Sequence, residues 1–363
     1  MNLIKKQIVS LLVVALSCLI GFFLFEIGLR IVSLDDPWTK TRDLNILRNF
    51  QMTYDISHLY QHDSLGADYI RDEYGLRDVC ETPGEIDILT IGGSTTDQRY
   101  VPFDSTYQSI LEKRLVAHVD DFGCISNAGV DGHSTWGHMF SFEHWFPLIP
   151  NLNPKFIILY IGVNDADFKR INNPVSGFDN YKQVGMEGFL KRFEIVNALL
   201  PLYRLMKQSS ENDSAAYAGH SPRPYVDNEY TIDVMNEQTK FLSEQNANAF
   251  RLRMQSLLKN ISALDAIPIC VTQPHRYVRK KNGKIYGIPN VLDEGFSGID
   301  YDYSIRKLND VMSELCKENT LDLYSHKFLS AHFYDGVHTT AMGSKEIGDR
   351  IADFIIESFS KKL

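Results

Sequence analysis

The sequence has no run of basic residues long enough to grip a nucleic acid. Its densest cationic stretch, RKKNGK at 279–284, reads as a solvated loop. The formal net charge is -9, from 37 Lys and Arg against 46 Asp and Glu. That balance argues against nucleic acid as the main partner, because phosphate binding needs a basic face. Cysteines are few, five in 363 residues. None stands in a CxxC pair or at a Cys/His spacing that would signal structural zinc, and the 11 histidines suggest no metal centre. Internal repeats are absent. Long uncharged stretches are also scarce, since one occurs near the amino terminus and no later segment is long and apolar enough to cross a membrane. The rest of the composition, 44% hydrophobic and 23% charged, is that of a folded globular chain. The length permits one large domain or two.

The single apolar run is Ile8–Phe25, IVSLLVVALSCLIGFFLF, preceded by Lys5 and Lys6. As a helix these residues reach about 27 Å, close to the hydrocarbon thickness of a bilayer. A cleaved signal peptide is the competing reading, but the sequence after the run, EIGLRIVSLDD, lacks a small-x-small cleavage site. Residues 1–33 therefore read as an uncleaved anchor. The lysines before it place the rest of the chain outside the cytoplasm, with Arg30 leaving only a modest charge asymmetry. Glu26 and Arg30 are spaced to pair on one helix face. Cys270 lies in the apolar stretch IPICVT and reads as a buried thiol. Cys80 and Cys124 flank predicted strands and are candidates for a disulfide in an oxidising compartment.

Residues 34–80 are polar, aromatic and irregular, and read as a stalk that wraps onto the domain. From residue 81 onward, short apolar runs alternate with helical patterns. The runs are Ile86–Ile91, Cys124–Ser126, Phe156–Ile161, Ile267–Thr272 and Leu321–Tyr324. Apolar runs without alternation suit strands buried on both faces of a parallel sheet. Helical periodicity covers 106–119, 136–146, 245–264, 301–318 and 342–359, with Ile347, Ile351, Phe354, Ile355 and Phe359 along one face of the last. This alternation predicts an α/β fold with helices on both sides of the sheet. An insertion at about 170–245, including SSENDSAAYAGHSPRPYVDNE, breaks the rhythm and reads as a flexible lid candidate.

Ligands of open parallel sheets bind beyond the carboxyl ends of the strands. The residues just past each predicted strand are GGST (92–95), NAGVDGHS (127–134), GVND (162–165), QPHRY (273–277) and, beyond the fifth, DGVH (335–338). A serine hydroxyl becomes a nucleophile when a base takes its proton. His338 is the candidate base, and Asp335 the group that fixes its tautomer and stabilises its cation. The amides of Ser94 and Gly132 and the side-chain amide of Asn164 would supply donors for an oxyanion; Gly129 competes with Gly132 within its loop. Asp165 reads as a brace, and Asp97 as a partner for a helix dipole. His133, His275 and Arg77 are candidates for substrate contact.

These blocks resemble the SGNH hydrolases, the GDSL-like family, over about residues 69–359. The family's four blocks appear in order, as Gly92-Gly93-Ser94, Asn127 to Gly132, Gly162 to Asp165, and Asp335 to His338. Gly93 departs from the usual aspartate, and the GGSTT form resembles a membrane-anchored subgroup. The resemblance implies a three-layer α/β/α sandwich with five parallel strands ordered 2-1-3-4-5, and a serine esterase that needs no cofactor. Its substrate would be an acyl ester, of a glycan or lipid at the cell surface or in export. An acyltransferase using the same acyl-enzyme is the alternative, and a non-catalytic membrane-tethered assembly protein the second.

Overall fold

In the computed structural model, which describes residues 2–34, 36–77, 80–167, 193–196, 198–199, 215–217, 220–223, 225–291 and 295–359, the chain opens with one long helix, α1 (Asn2–Leu34). Within it Lys6–Val32 has a mean hydropathy of 2.8 and lies outside the protein core, so it is long and apolar enough to cross a membrane. Near its end Glu26 accepts from Arg30 Nε at 2.8 Å and from the backbone N–H groups of Glu194 and Ile195 at 3.0 and 3.1 Å.

A short helix, α2 (Thr39–Asp43), leads to an antiparallel hairpin of β1 (Phe50–Asp55) and β2 (Gly66–Arg71). Residues 34–80, expected to be irregular, are thus partly regular. Alternation in GADYIR turns Ala67, Tyr69 and Arg71 inward, a period-2 signal too short to stand out among its polar neighbours. Arg77 then bridges to Asn127 and ties this segment to the main sheet.

The main sheet contains β3 (Ile86–Gly92), β4 (Cys124–Asn127), β5 (Phe156–Tyr160), β7 (Ile267–Val271) and β10 (Thr320–Leu321). Every pair is parallel, and the spatial order is β10-β7-β5-β3-β4. Counted along the chain this is 2-1-3-4-5, the order implied by the family resemblance. The intervening β6 (Ala215–Tyr217) pairs with β1, and β8 (Val278–Lys281) with β9 (Lys284–Gly287) form a separate hairpin. Much of the expected insertion at about 170–245 lies outside the described residues.

Helices cover both faces of the sheet. On one side α4 (Tyr107–Val116) and α8 (Ala341–Phe359) bury Leu111, Leu115, Ile347, Ile351 and Ile355 against Ile88, Ile158 and Ile269. On the other, α5 (Thr135–His144), α6 (Thr239–Ser262) and α7 (Gly298–Cys316) cover Leu89, Ile157 and Leu159 with Phe250, Met254, Ile305 and Leu308 among others. The remaining element, α3 (Ser94–Asp97), is a single turn after β3. Local chemistry sets the helix starts. Thr106 Oγ1 accepts from Ser109 N ahead of α4, and Ser297 with Asp300 forms a reciprocal capping box for α7.

Two disulfides close the fold. Cys80 and Cys124 are joined, tying the approach to β3 onto β4. Cys270, expected to be a buried thiol, is bonded to Cys316 at the end of α7. The two lie 46 positions apart, and only the packing of α7 against β7 brings them together. Cys18 is free, on α1.

Candidate active site

The turn from β3 into α3 carries Ser94. Close approach requires glycine at 92 and leaves little room at 93. A Cβ at Gly92 would collide with Thr96 and with the Tyr160 carbonyl, and one at Gly93 with the Asn164 amide.

The DGVH loop meets Ser94 across 244 positions of sequence. The Ser94 hydroxyl and His338 Nε2 are 2.7 Å apart, and His338 Nδ1 and Asp335 Oδ2 are also 2.7 Å apart. The other carboxylate oxygen, Oδ1, accepts from the backbone N–H groups of Val337 and His338 at 2.9 and 2.8 Å. Burial by itself would raise the Asp335 pKa. The hydrogen bond and charge of His338 and the two amides outweigh it and hold the carboxyl below its usual range. An ionised Asp335 keeps the proton on Nδ1, which leaves Nε2 as the acceptor for Ser94. The Tyr334 ring lies nearly parallel to the His338 ring, 10° and 5.7 Å away, and packs beside the imidazole.

Asn164 Nδ2 donates to the His133 carbonyl at 2.9 Å, which fixes the amide beside the Ser94 turn. Gly132 has φ +77, and a Cβ there would meet nothing within 4 Å. Asp165 braces this loop edge by accepting from Thr135 N at 3.1 Å and Thr135 Oγ1 at 2.6 Å. Two glutamines add long-range ties. Gln98 Nε2 donates to Thr339 and Ser344 while its Oε1 accepts from Tyr107 N, and Gln273 links Thr95 to Val163. No sequence pattern marks either glutamine, since each partner is more than 100 positions away or on another helix.

Beneath the turn lies a buried charge cluster. Asp97 is 1% exposed; its Oδ1 accepts from Tyr69 OH at 2.7 Å and from Arg71, and its Oδ2 from Arg99 at 3.2 Å. Burial opposes ionisation, but Arg71, Arg99 and Tyr69 overcome it and keep the carboxyl below its normal range. From sequence Asp97 fits a helix dipole; α3 is a single turn, and the residue instead neutralises guanidiniums from β2 and the loop after α3.

The three candidates for substrate contact hydrogen-bond into the interior. His133 is buried with Nε2 2.7 Å from the Leu44 carbonyl. His275 is buried with Nε2 3.2 Å from Asp302 Oδ1. Arg77 donates to the backbone carbonyls of Asp68, Asp97, Gln98 and Val101, and burial pushes its pKa down to about 10. None of them lines the cavity beside Ser94. That cavity has room for about 20 Å³ and is walled by Arg99, Tyr100, Asp131, His220, Tyr334 and His338 among others. His220 is the residue the sequence did not flag. Its Nδ1 lies 2.9 Å from Tyr334 OH, and its ring centroid is 4.5 Å from that of His338. Burial, reinforced by His338, pushes the His220 pKa down to about 4, so it is neutral at ordinary pH. Its signal in the sequence was a lone histidine in a Ser/Pro-rich loop, which carries no periodicity.

No family model and no curated protein matches the chain. Solved structures to which it is similar include the acetyl xylan esterase AlAXEase, at 13% identity and a TM-score of 0.41, covering 75% of this chain and 100% of that one. Another is the lipase/acylhydrolase from Enterococcus faecalis, at 12% identity and a TM-score of 0.40, covering 74% and 95%. A third is a catalytic mutant of Axe2, an acetylxylan esterase from Geobacillus stearothermophilus, at 12% identity and a TM-score of 0.38, covering 74% and 92%.

Proposed function

We propose that this chain is a serine ester hydrolase of the SGNH type, with Ser94 as nucleophile, His338 as general base and then acid, and Asp335 orienting the imidazole. The observation that carries this reading is the unbroken relay from Asp335 through His338 to Ser94, 2.7 Å at each link. Spacing of this kind suits nucleophile activation. Ser94 adds to the ester carbonyl as its proton passes to His338. The resulting oxyanion is held by the N–H groups of Ser94 and Gly132 and by the Asn164 amide, which has a second N–H beyond the one given to His133. His338 then protonates the departing alkoxide. Water, activated by the same imidazole, adds to the acyl-enzyme and releases the acid, and Ser94 regains its proton. No metal or organic cofactor enters these steps.

The anchor reading assigns α1 to the cytoplasmic membrane and the catalytic domain to its outer side. Two disulfides favour an oxidising compartment. O-acyl esters of cell-surface or exported glycans or lipids are the substrates available to an enzyme so placed.

The test is covalent labelling with a fluorophosphonate, with the adduct located by mass spectrometry in the native chain and in His338→Ala. The expected result is an adduct on Ser94 that the His338 variant loses. A folded native chain that takes no label, or labels equally without His338, overturns the reading. Hydrolysis is then separated from transfer by supplying an acyl-Ser94 donor with a sugar alcohol. Release of free acid supports the hydrolase, and acylated sugar supports the acyltransferase.

A further inference from the structure

His220 does more than wall the cavity. Among the described residues, one set of imidazole and carboxylate groups is close enough to share a metal ion, and it joins His220 to two members of the triad. One ligand atom from each of His220, Asp335 and His338 lies within 4.8 Å of the other two, and all three residues are partly buried. His220 is held in this position from several sides. Its carbonyl is 3.3 Å from His58 Nε2, its Nδ1 is 2.9 Å from Tyr334 OH, and the neighbouring Arg223 N–H donates to the Tyr334 carbonyl at 2.8 Å. The segment carrying His220 is thus fastened to the same loop that carries Asp335 and His338.

We propose that His220, His338 and Asp335 form an inhibitory binding site for a zinc-class divalent cation, so that the metal and the triad compete for one imidazole. Two imidazoles and one carboxylate, with a fourth position open to water, are a donor set that zinc favours. A tetrahedral ion with ligands at about 2.0–2.1 Å needs donor atoms about 3.3 Å apart, so small side-chain rotations close the present spread.

The consequence follows from the His338 nitrogen that faces Asp335. Coordination at Nδ1 moves the imidazole proton to Nε2, and an N–H there donates to Ser94 instead of accepting from it. Nε2 faces Ser94 rather than Asp335, so an ion shared with that carboxylate binds at Nδ1. Ser94 then keeps its proton and the nucleophile is not generated. Removing the ion restores the original tautomer, so the block is reversible. This inference rests on the triad reading above for its effect on reactivity, and on geometry alone for the site itself.

Two measurements on the full chain test it. Zinc binding is followed by calorimetry in Ser94→Ala and in Ser94→Ala with His220→Ala. The rate of fluorophosphonate labelling is followed with and without zinc in the native chain, in His220→Ala and in His220→Phe, which keeps a packed ring without a ligand atom. The expected result is a zinc site weakened at least ~10-fold by loss of His220, the scale on which even supporting groups of metal sites act. Labelling of the native chain should slow at least ~10-fold in saturating zinc and recover with EDTA, while each His220 variant labels at its own zinc-free rate. Equal slowing by zinc in the His220 variants, or no slowing in the native chain, overturns the proposal. A native chain that never labels refutes the hydrolase reading instead, and the calorimetric pair still decides the metal site.

Discussion

Replacing Asp97 by asparagine removes one negative charge and almost no volume. The carboxylate is 1% exposed and receives Tyr69 OH, Arg71 and Arg99. Arg71 is itself buried; its remaining N–H groups go to Tyr69 OH and to the carbonyls of Gly75, Asn127 and Gly129. The asparagine amide would leave Arg71 without a carboxylate partner among the described residues and would aim N–H groups at guanidinium N–H groups. An exposed ion pair is worth about 0–1 kcal/mol. Breaking a buried pair by deleting one partner costs about 3–5 kcal/mol, because the surviving charge stays desolvated. Asp97 belongs to the second case, so Asp97→Asn should lose about 3–5 kcal/mol, a large share of a typical stability of about 5–15 kcal/mol. The assay is urea unfolding of the full chain in detergent, followed by tryptophan fluorescence. Adding Arg71→Met to Asp97→Asn should recover part of the loss, with a coupling of about 1–3 kcal/mol. A loss below about 1 kcal/mol for the single variant, the scale of an exposed pair, would refute the reasoning and show that the cluster is solvated or redundant.

Asn164→Ala should reduce kcat on an activated ester by about 10²–10³-fold, the cost of one oxyanion donor, while the fluorophosphonate still finds Ser94. Opening the Cys80–Cys124 bridge, whose ends are 44 positions apart, should cost about 4 kcal/mol by the chain-entropy relation, read as a lower urea midpoint of the double serine variant. Burial, with His133 nearby, pushes the His138 pKa well below 6.5, and burial with His338 pushes His220 to about 4. Below about pH 6.5 the unfolded chain binds protons that the folded one refuses, so stability falls as pH drops, by up to about 1.4 kcal/mol per unit for each group. Carboxylates held low in the fold, such as Asp335, contribute stability above their unfolded value and lose it only below about pH 4. Asp72 and Glu112, raised by burial, act in the opposite sense, and His332 is lowered like the other two histidines, so the His138 share is read as a difference: between pH 6.5 and 5, His138→Gln should lose less stability per unit of pH than the native chain.

The anchor-like apolar helix, the five parallel strands and the blocks that follow four of them are all legible in the residues themselves. These are local properties. Apolar runs such as FIILYI mark β5 without reference to any other part of the chain, and Ser94, Asn164, Asp335 and His338 each follow a strand or belong to a short motif. Once the strands lie parallel, such residues share one sheet edge. The remaining contacts exist only in the folded chain. Asp97 meets Arg71 and Tyr69, Gln98 meets Ser344, Cys270 meets Cys316, and His220 packs on His338. No periodicity encodes these pairings, because each joins separate segments whose contact exists only after the helices and the β1–β2 hairpin dock. His133, His275 and Arg77 illustrate the same limit in reverse. Each stands beside a sheet-edge motif or the segment that covers it, yet each turns toward a carbonyl or carboxylate in the interior, because a buried polar side chain must find a partner and the nearest one did not lie at the cavity beside Ser94.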